Sequence, residues 1–159
     1  VRVHQAGHVP ACVLLCATLF LAGCGVEVAP QEISSGETLD CGVFQNTVAP
    51  IFDANIGGTT CSASGCHRVG ESAGGAFKVH PNAALNSVEM EANYIAAKGF
   101  ANLNDPTLSK LLLEPLAGAQ SIVGSHAGGD IFPSTADVNY NTILAWISTR
   151  VQAPNSCLP

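Results

Sequence analysis

Apolar positions along the chain gather into separate groups with polar, glycine-rich stretches between them. Residues 11–23, ACVLLCATLFLAG, form one unbroken apolar run. Residues 41–53, CGVFQNTVAPIFD, put Val43, Phe44, Val48, Ile51 and Phe52 on one broad face, which predicts a short helix limited or kinked by Pro50. Residues 82–98 place Leu85, Val88, Ala92 and Ile95 at helical spacing, with Gly99 as a stop. Asp105-Pro106 is a helix start, and TLSKLLLEP follows it and ends at or before Pro115. Tyr140, Ile143, Leu144, Ile147 and Val151 make the clearest helical stripe, with Asp137 as its cap.

Two long glycine-rich segments separate these groups, NIGGTTCSASGCHRVGESAGG and GAQSIVGSHAGGDIFPST. Together the pattern predicts a small, mostly α domain with two long loops. Loops of that length in a compact domain need something to organise them. A large apolar cofactor held between them would do so, and would add core to a chain with only 6 % aromatic residues.

The first apolar run is short for a membrane span and is placed like a secretory h-region behind Arg2. It ends in Leu21-Ala22-Gly23-Cys24, which resembles a bacterial lipobox. The expectation is a signal peptide over 1–23, lipidation of Cys24, and a Pro/Gly/Ser-containing tether over 24–38. More than one acyl chain on Cys24 gives stable membrane anchoring. Gly25 follows the cysteine in place of Asp, which points to the outer membrane of the bacterial envelope. The folded domain is then expected over 39–159.

Charge narrows the partners. The chain has 12 Asp+Glu against 6 Lys+Arg, which argues against a nucleic-acid ligand. With Cys12 and Cys16 in the signal and Cys24 lipidated, Cys41, Cys61, Cys66 and Cys157 remain. Cys41 and Cys157 flank the folded region and are candidates for a disulfide.

Cys61 and Cys66 occur in CSASGCH, and three readings compete. The first takes both thiols as haem attachment points with His67 as iron ligand, because c-type attachment places its histidine directly after the second cysteine. The spacer here is four residues, against the usual two. The second takes the pair as a local disulfide, and the third as metal ligands with His67 and another histidine; adjacent Cys66 and His67 suit one tetrahedral ion poorly.

The strings VAPIFDANIGGTTCSASGCH, AGGAFKV, NLNDPTLSKLLLEPL, HAGGDIF and YNTILAWI, taken in order, resemble a family of c-type cytochrome domains of planctomycetes, myxobacteria and related bacteria. The resemblance covers about residues 47–148. It implies a cytochrome c-like helical domain around one covalent haem c, with Cys61 and Cys66 as thioether positions and His67 as proximal ligand. The family's usual methionine before the last helix is missing, and Met90 falls inside a helix and reads as core. His126, in SHAGGD, is the candidate distal ligand, and His80, in KVHPNA, is its competitor.

The implied function is a lipid-anchored single-electron carrier, with protein redox partners the sequence does not name. Histidine on both sides of the iron favours a lower potential than His/Met ligation. Ile143, Leu144, Ile147 and Trp146 of the closing helix are expected near the haem or against the first helix. Two alternatives are a haem-free, disulfide-stapled lipoprotein that binds a partner, and a peroxidase-like enzyme whose iron keeps an open site.

Overall fold

The structure is a computed structural model describing residues 36–118 and 126–159. The apolar leader, Cys24 and most of the expected tether lie outside the described residues.

The ends of the described chain are brought together first. Strand β1 (Glu37–Leu39) pairs antiparallel with β2 (Arg150–Gln152), with Thr38 opposite Val151. The folded part therefore takes in Glu37 and Thr38, which the sequence pattern assigns to the tether. Beside this ladder, Cys41 and Cys157 form a disulfide with a Cα–Cα distance of 5.3 Å, within the range a relaxed bridge requires. Glu91 accepts hydrogen bonds from the Cys157 amide and the Ser156 hydroxyl, so the C-terminal tail is held from a helix as well.

The predicted helix over 41–53 is a continuous helical run of three parts: α1 (Cys41–Val43), a π-helical turn (Phe44–Val48) and α2 (Ala49–Asp53). Asp40 caps its start by accepting from the Val43 amide. Pro50 cannot donate to a helical ladder, and the wider turn before it leaves it at the start of α2. The run turns Phe44, Val48, Ile51 and Phe52 into the core.

Helix α3 (Val88–Gly99) is shorter than the predicted segment and buries the other face. Ser87 caps it, preceded by Asn82 and Asn86 in left-handed conformation, and these delay its start. Leu85, Val88 and Ile95 are each more than half exposed, while Met90, Asn93, Tyr94 and Ala97 are buried. The buried face carries the larger payload and the better polar partners. The Tyr94 hydroxyl donates to the Leu39 carbonyl, and Asn93 holds both the amide and the carbonyl of His80.

A 3₁₀ turn (Pro106–Leu108), capped by Asp105, leads into the short helix α4 (Lys110–Leu113). The closing helix α5 (Val138–Ser148) begins at its Asp137 cap and buries Tyr140, Ile143, Trp146 and Ile147. Val151 does not continue the stripe, because the chain turns extended at Thr149 and pairs with β1. Trp146 packs against Phe44 at 5.2 Å between ring centroids, and its indole N–H donates to the Asp40 carbonyl.

The expectation of a mostly α, cytochrome c-like helical domain is corrected by this architecture. The structure is 38 % helical, with a small two-stranded sheet, and among the described residues only the 41–53 run, α3 and α5 exceed two helical turns. The reason lies in composition. Long stretches rich in glycine, serine and alanine offer few large apolar side chains, and an amphipathic face is what sustains a helix in a protein. Those stretches form turns closed by backbone hydrogen bonds.

Replacing Cys41 and Cys157 together by serine should lower stability by about 4–5 kcal/mol, because the bridge closes a loop of 116 residues. The urea midpoint of the double variant against the parent protein measures this.

Candidate functional site

Both cysteines of CSASGCH lie on a chain wound into successive turns after α2. The Ser62 amide donates to Phe52 O, Ala63 to Thr60 O, Cys66 to Ala63 O and His67 to Cys61 O, all within 3.0–3.2 Å. Asp53, at the end of α2, accepts from the Ser62 hydroxyl and from the Asn82 amide, tying this loop to the next one. The four-residue spacer is thus a folded turn, with Gly65 supplying positive φ.

His67 is fixed from behind. Its Nδ1 lies 3.0 Å from the carbonyl oxygens of both Gly74 and Phe77. Carbonyls only accept, so Nδ1 carries the proton, and Nε2 is left with a free lone pair. The backbone on either side is bridged in parallel, Arg68 to Val79, with the Val79 amide donating to the His67 carbonyl at 2.8 Å. Gly74 passes so close that an added Cβ would sit 2.4 Å from the Cys66 carbonyl oxygen and 2.7 Å from His67 Nδ1. At φ +78° it is also in the left-handed region, so only glycine fits there.

His126 enters from the second glycine-rich segment. Its Nδ1 donates to the Gly129 carbonyl at 3.0 Å, within a turn closed by the Gly129 amide on His126 O. Among the described residues neither histidine has a hydrogen-bond partner on Nε2. The ring centroids of His67 and His126 are 5.8 Å apart and their planes differ by 20°. The planes are nearly parallel and the centroids lie inside the roughly 4.5–7 Å range of ring–ring contacts, so the two imidazoles form a stacked pair.

Cys61, Cys66, His67 and His126 line one cleft, together with Phe52, Phe77, Phe100, Leu111, Ile131, Phe132 and Ile143. Its cavity volume is about 80 Å³, well below the roughly 300–1,000 Å³ of a site that encloses a drug-sized ligand. Lys110, Glu114, Thr59 and Thr60 supply its polar rim. Cys61 and Cys66 are both free thiols, which weighs against a local disulfide. Among the described residues, the only three ligand atoms within 4.8 Å of one another belong to Cys41, Glu91 and Cys157. Two of those are bridged sulfurs. The four cleft residues are thus not gathered tightly enough for one small tetrahedral ion.

Burial pushes the Cys61 thiol up to about 11; Cys66 and Asp53 nearby raise it further, while a backbone hydrogen bond opposes them. The thiol therefore stays protonated and waits as an inert apolar group.

The other sequence candidates fall elsewhere. His80 is bound through its backbone to Asn93 and does not line the cleft. Met90 is core, as expected. Of the closing helix only Ile143 reaches the cleft, while Trp146 and Ile147 are core and Leu144 packs beside it. The pattern of apolar spacing missed Phe77, Phe100, Ile131 and Phe132, which lie outside periodic segments. Their scarcity as large side chains in small-residue stretches was the only available signal.

No protein-family model, curated protein or solved structure matches the chain. The likeness to c-type cytochrome domains rests on the quoted strings. Among the described residues no helix is long and apolar enough to cross a membrane.

Two outcomes follow. Cys61 has its thiol pKa raised on folding from 9.0 to about 11. Its contribution to stability is full below pH 9 and is lost as pH climbs through that window, since the folded state then binds the proton more tightly than the unfolded one. In the reduced, ligand-free protein, denaturation midpoints across that window should fall more steeply for the parent than for Cys61→Ser. Gly74→Ala should cost about 1–3 kcal/mol through backbone strain and release the His67 ring, which histidine side-chain NMR would report.

Proposed function

We infer that the protein carries one covalently attached c-type haem and works as a single-electron carrier of the bacterial envelope. Cys61 and Cys66 would form the thioethers, with His67 the proximal and His126 the distal ligand. The observation that carries this is the pair of histidines with Nδ1 tied back to carbonyls, their rings 5.8 Å apart beside two free thiols in an apolar cleft. Carbonyl partners of this kind orient a ligating imidazole and raise its basicity.

Thiol addition across a vinyl group forms one S–C bond and moves the thiol hydrogen to the neighbouring carbon. It needs neither an oxidant nor a leaving group. Once bound, the haem would supply a reversible one-electron couple. Everything else is done by the chain. Phe52, Phe77, Phe100, Phe132 and Ile143 give the cleft apolar walls, and His67 and His126 would both hold the iron. Filling the distal position supports electron transfer over peroxidase-like turnover. Cys24 would hold the domain to the outer membrane by its acyl chains, and the donor and acceptor would be other redox proteins.

The deciding experiment is an absorption spectrum of the domain made in a host with c-type haem maturation, with its pyridine complex and a haem stain after denaturation. A denaturation-resistant, low-spin haem is expected. His126→Ala should convert it to a high-spin spectrum, and His126→Met should raise the midpoint potential. A colourless protein with Cys61 and Cys66 bridged would overturn the haem reading and leave the stapled lipoprotein.

A further inference from the structure

The turn that holds His67 is itself held from outside by a cation. The Lys78 ammonium donates to the Glu71 carbonyl at 2.8 Å and to the Ala73 carbonyl. The next carbonyl along, Gly74, accepts from His67 Nδ1, as does Phe77, the residue before Lys78. A second tether runs from the same turn to the spacer between the cysteines, where the Ser64 hydroxyl donates to Glu71 Oε1 at 2.9 Å. Residues 71–78 thus form a clamp. Its outer carbonyls converge on an ammonium and its inner carbonyls converge on one imidazole N–H.

We propose that Lys78 is a positioning residue for His67: it fixes the turn whose carbonyls hold the ring in its Nδ1–H form. The consequence for the protein as an electron carrier rests on the haem reading above. A proximal imidazole whose Nδ1–H is held by carbonyls is a stronger donor to the iron, which favours the oxidised state. Lys78 accordingly lowers the potential, in the same direction as two histidine ligands. The geometric part of the proposal stands without a haem.

The test uses both forms of the protein. In the haem-free protein, ¹⁵N NMR of the histidine side chains should show His67 in the Nδ1–H form. Lys78→Gln should raise the share of the other tautomer by about fivefold, the shift expected when one hydrogen bond to the ring weakens, and Lys78→Arg should restore the parent ratio. Ser64→Ala cuts the second tether at an exposed position, and should shift the ratio the same way even if Lys78→Gln fails to fold. An unchanged tautomer ratio in a folded Lys78→Gln, or in Ser64→Ala where that variant is the one available, overturns the proposal. In haem-loaded protein Lys78→Gln should raise the midpoint potential while the spectrum stays low-spin. A lower stability with an unchanged midpoint would reduce Lys78 to a structural role and overturn the tuning. A colourless protein would sink the haem reading and leave the tautomer test intact.

Discussion

Phe44 is the contact on which both halves of the structure rest. Its ring meets Trp146 at 5.2 Å, Tyr94 at 5.6 Å and Phe52 at 6.0 Å. In this way one side chain from the first helical run joins the closing helix, the middle helix and the wall of the cleft. Phe52 then touches Phe77, and Phe77 touches His67 and Phe100. Tilted and edge-on ring pairs of this kind add to ordinary area burial. In a chain with nine aromatic residues, six lie on this single seam, which runs from the core to the candidate ligand.

Polar contacts finish what the seam begins. The Trp146 indole and the Tyr94 hydroxyl donate to the carbonyls of Asp40 and Leu39, the residues just before α1. Those carbonyls sit between β1 and the Cys41–Cys157 bridge. The chain ends, the disulfide and the aromatic core therefore form one rigid base. The cleft is built above it from segments that have little regular structure. Rigidity there comes from carbonyls and glycines at close range: Gly74 against His67, and Gly128 with an added Cβ only 3.2 Å from the His126 ring. This is a sound way to hold ligating side chains in place on loops, since each ring is fixed by backbone atoms and not by flexible neighbours.

Helix α3 shows how periodicity can mislead when a segment has apolar residues on two faces. Leu85, Val88, Ala92 and Ile95 follow helical spacing, yet the helix turns Met90, Tyr94 and Ala97 inward. Spacing counts positions, whereas burial is decided by area and by whether polar tips find partners. Tyr94 and Asn93 find them on Leu39 and His80. The overestimate of helix has a related cause. The spacing between 82 and 87 is helical, but left-handed Asn82 and Asn86 take those residues out of the helix.

From the order of residues alone came the helical run over 41–53, the caps at Asp105 and Asp137, the core role of Met90, the pairing of Cys41 with Cys157, and the four chemically distinctive residues of the cleft. Each depends on local stereochemistry, on cysteine count or on side-chain type, which the chain carries wherever it goes. Tertiary structure alone decided the inward face of α3, the strand that replaced the last turn of the closing helix, and the meeting of His126 with His67 across apolar walls. It also decided the tautomer of both histidines, through carbonyls of Gly74, Phe77 and Gly129. A backbone carbonyl is the same group at every residue, so only the fold determines which one reaches a ring.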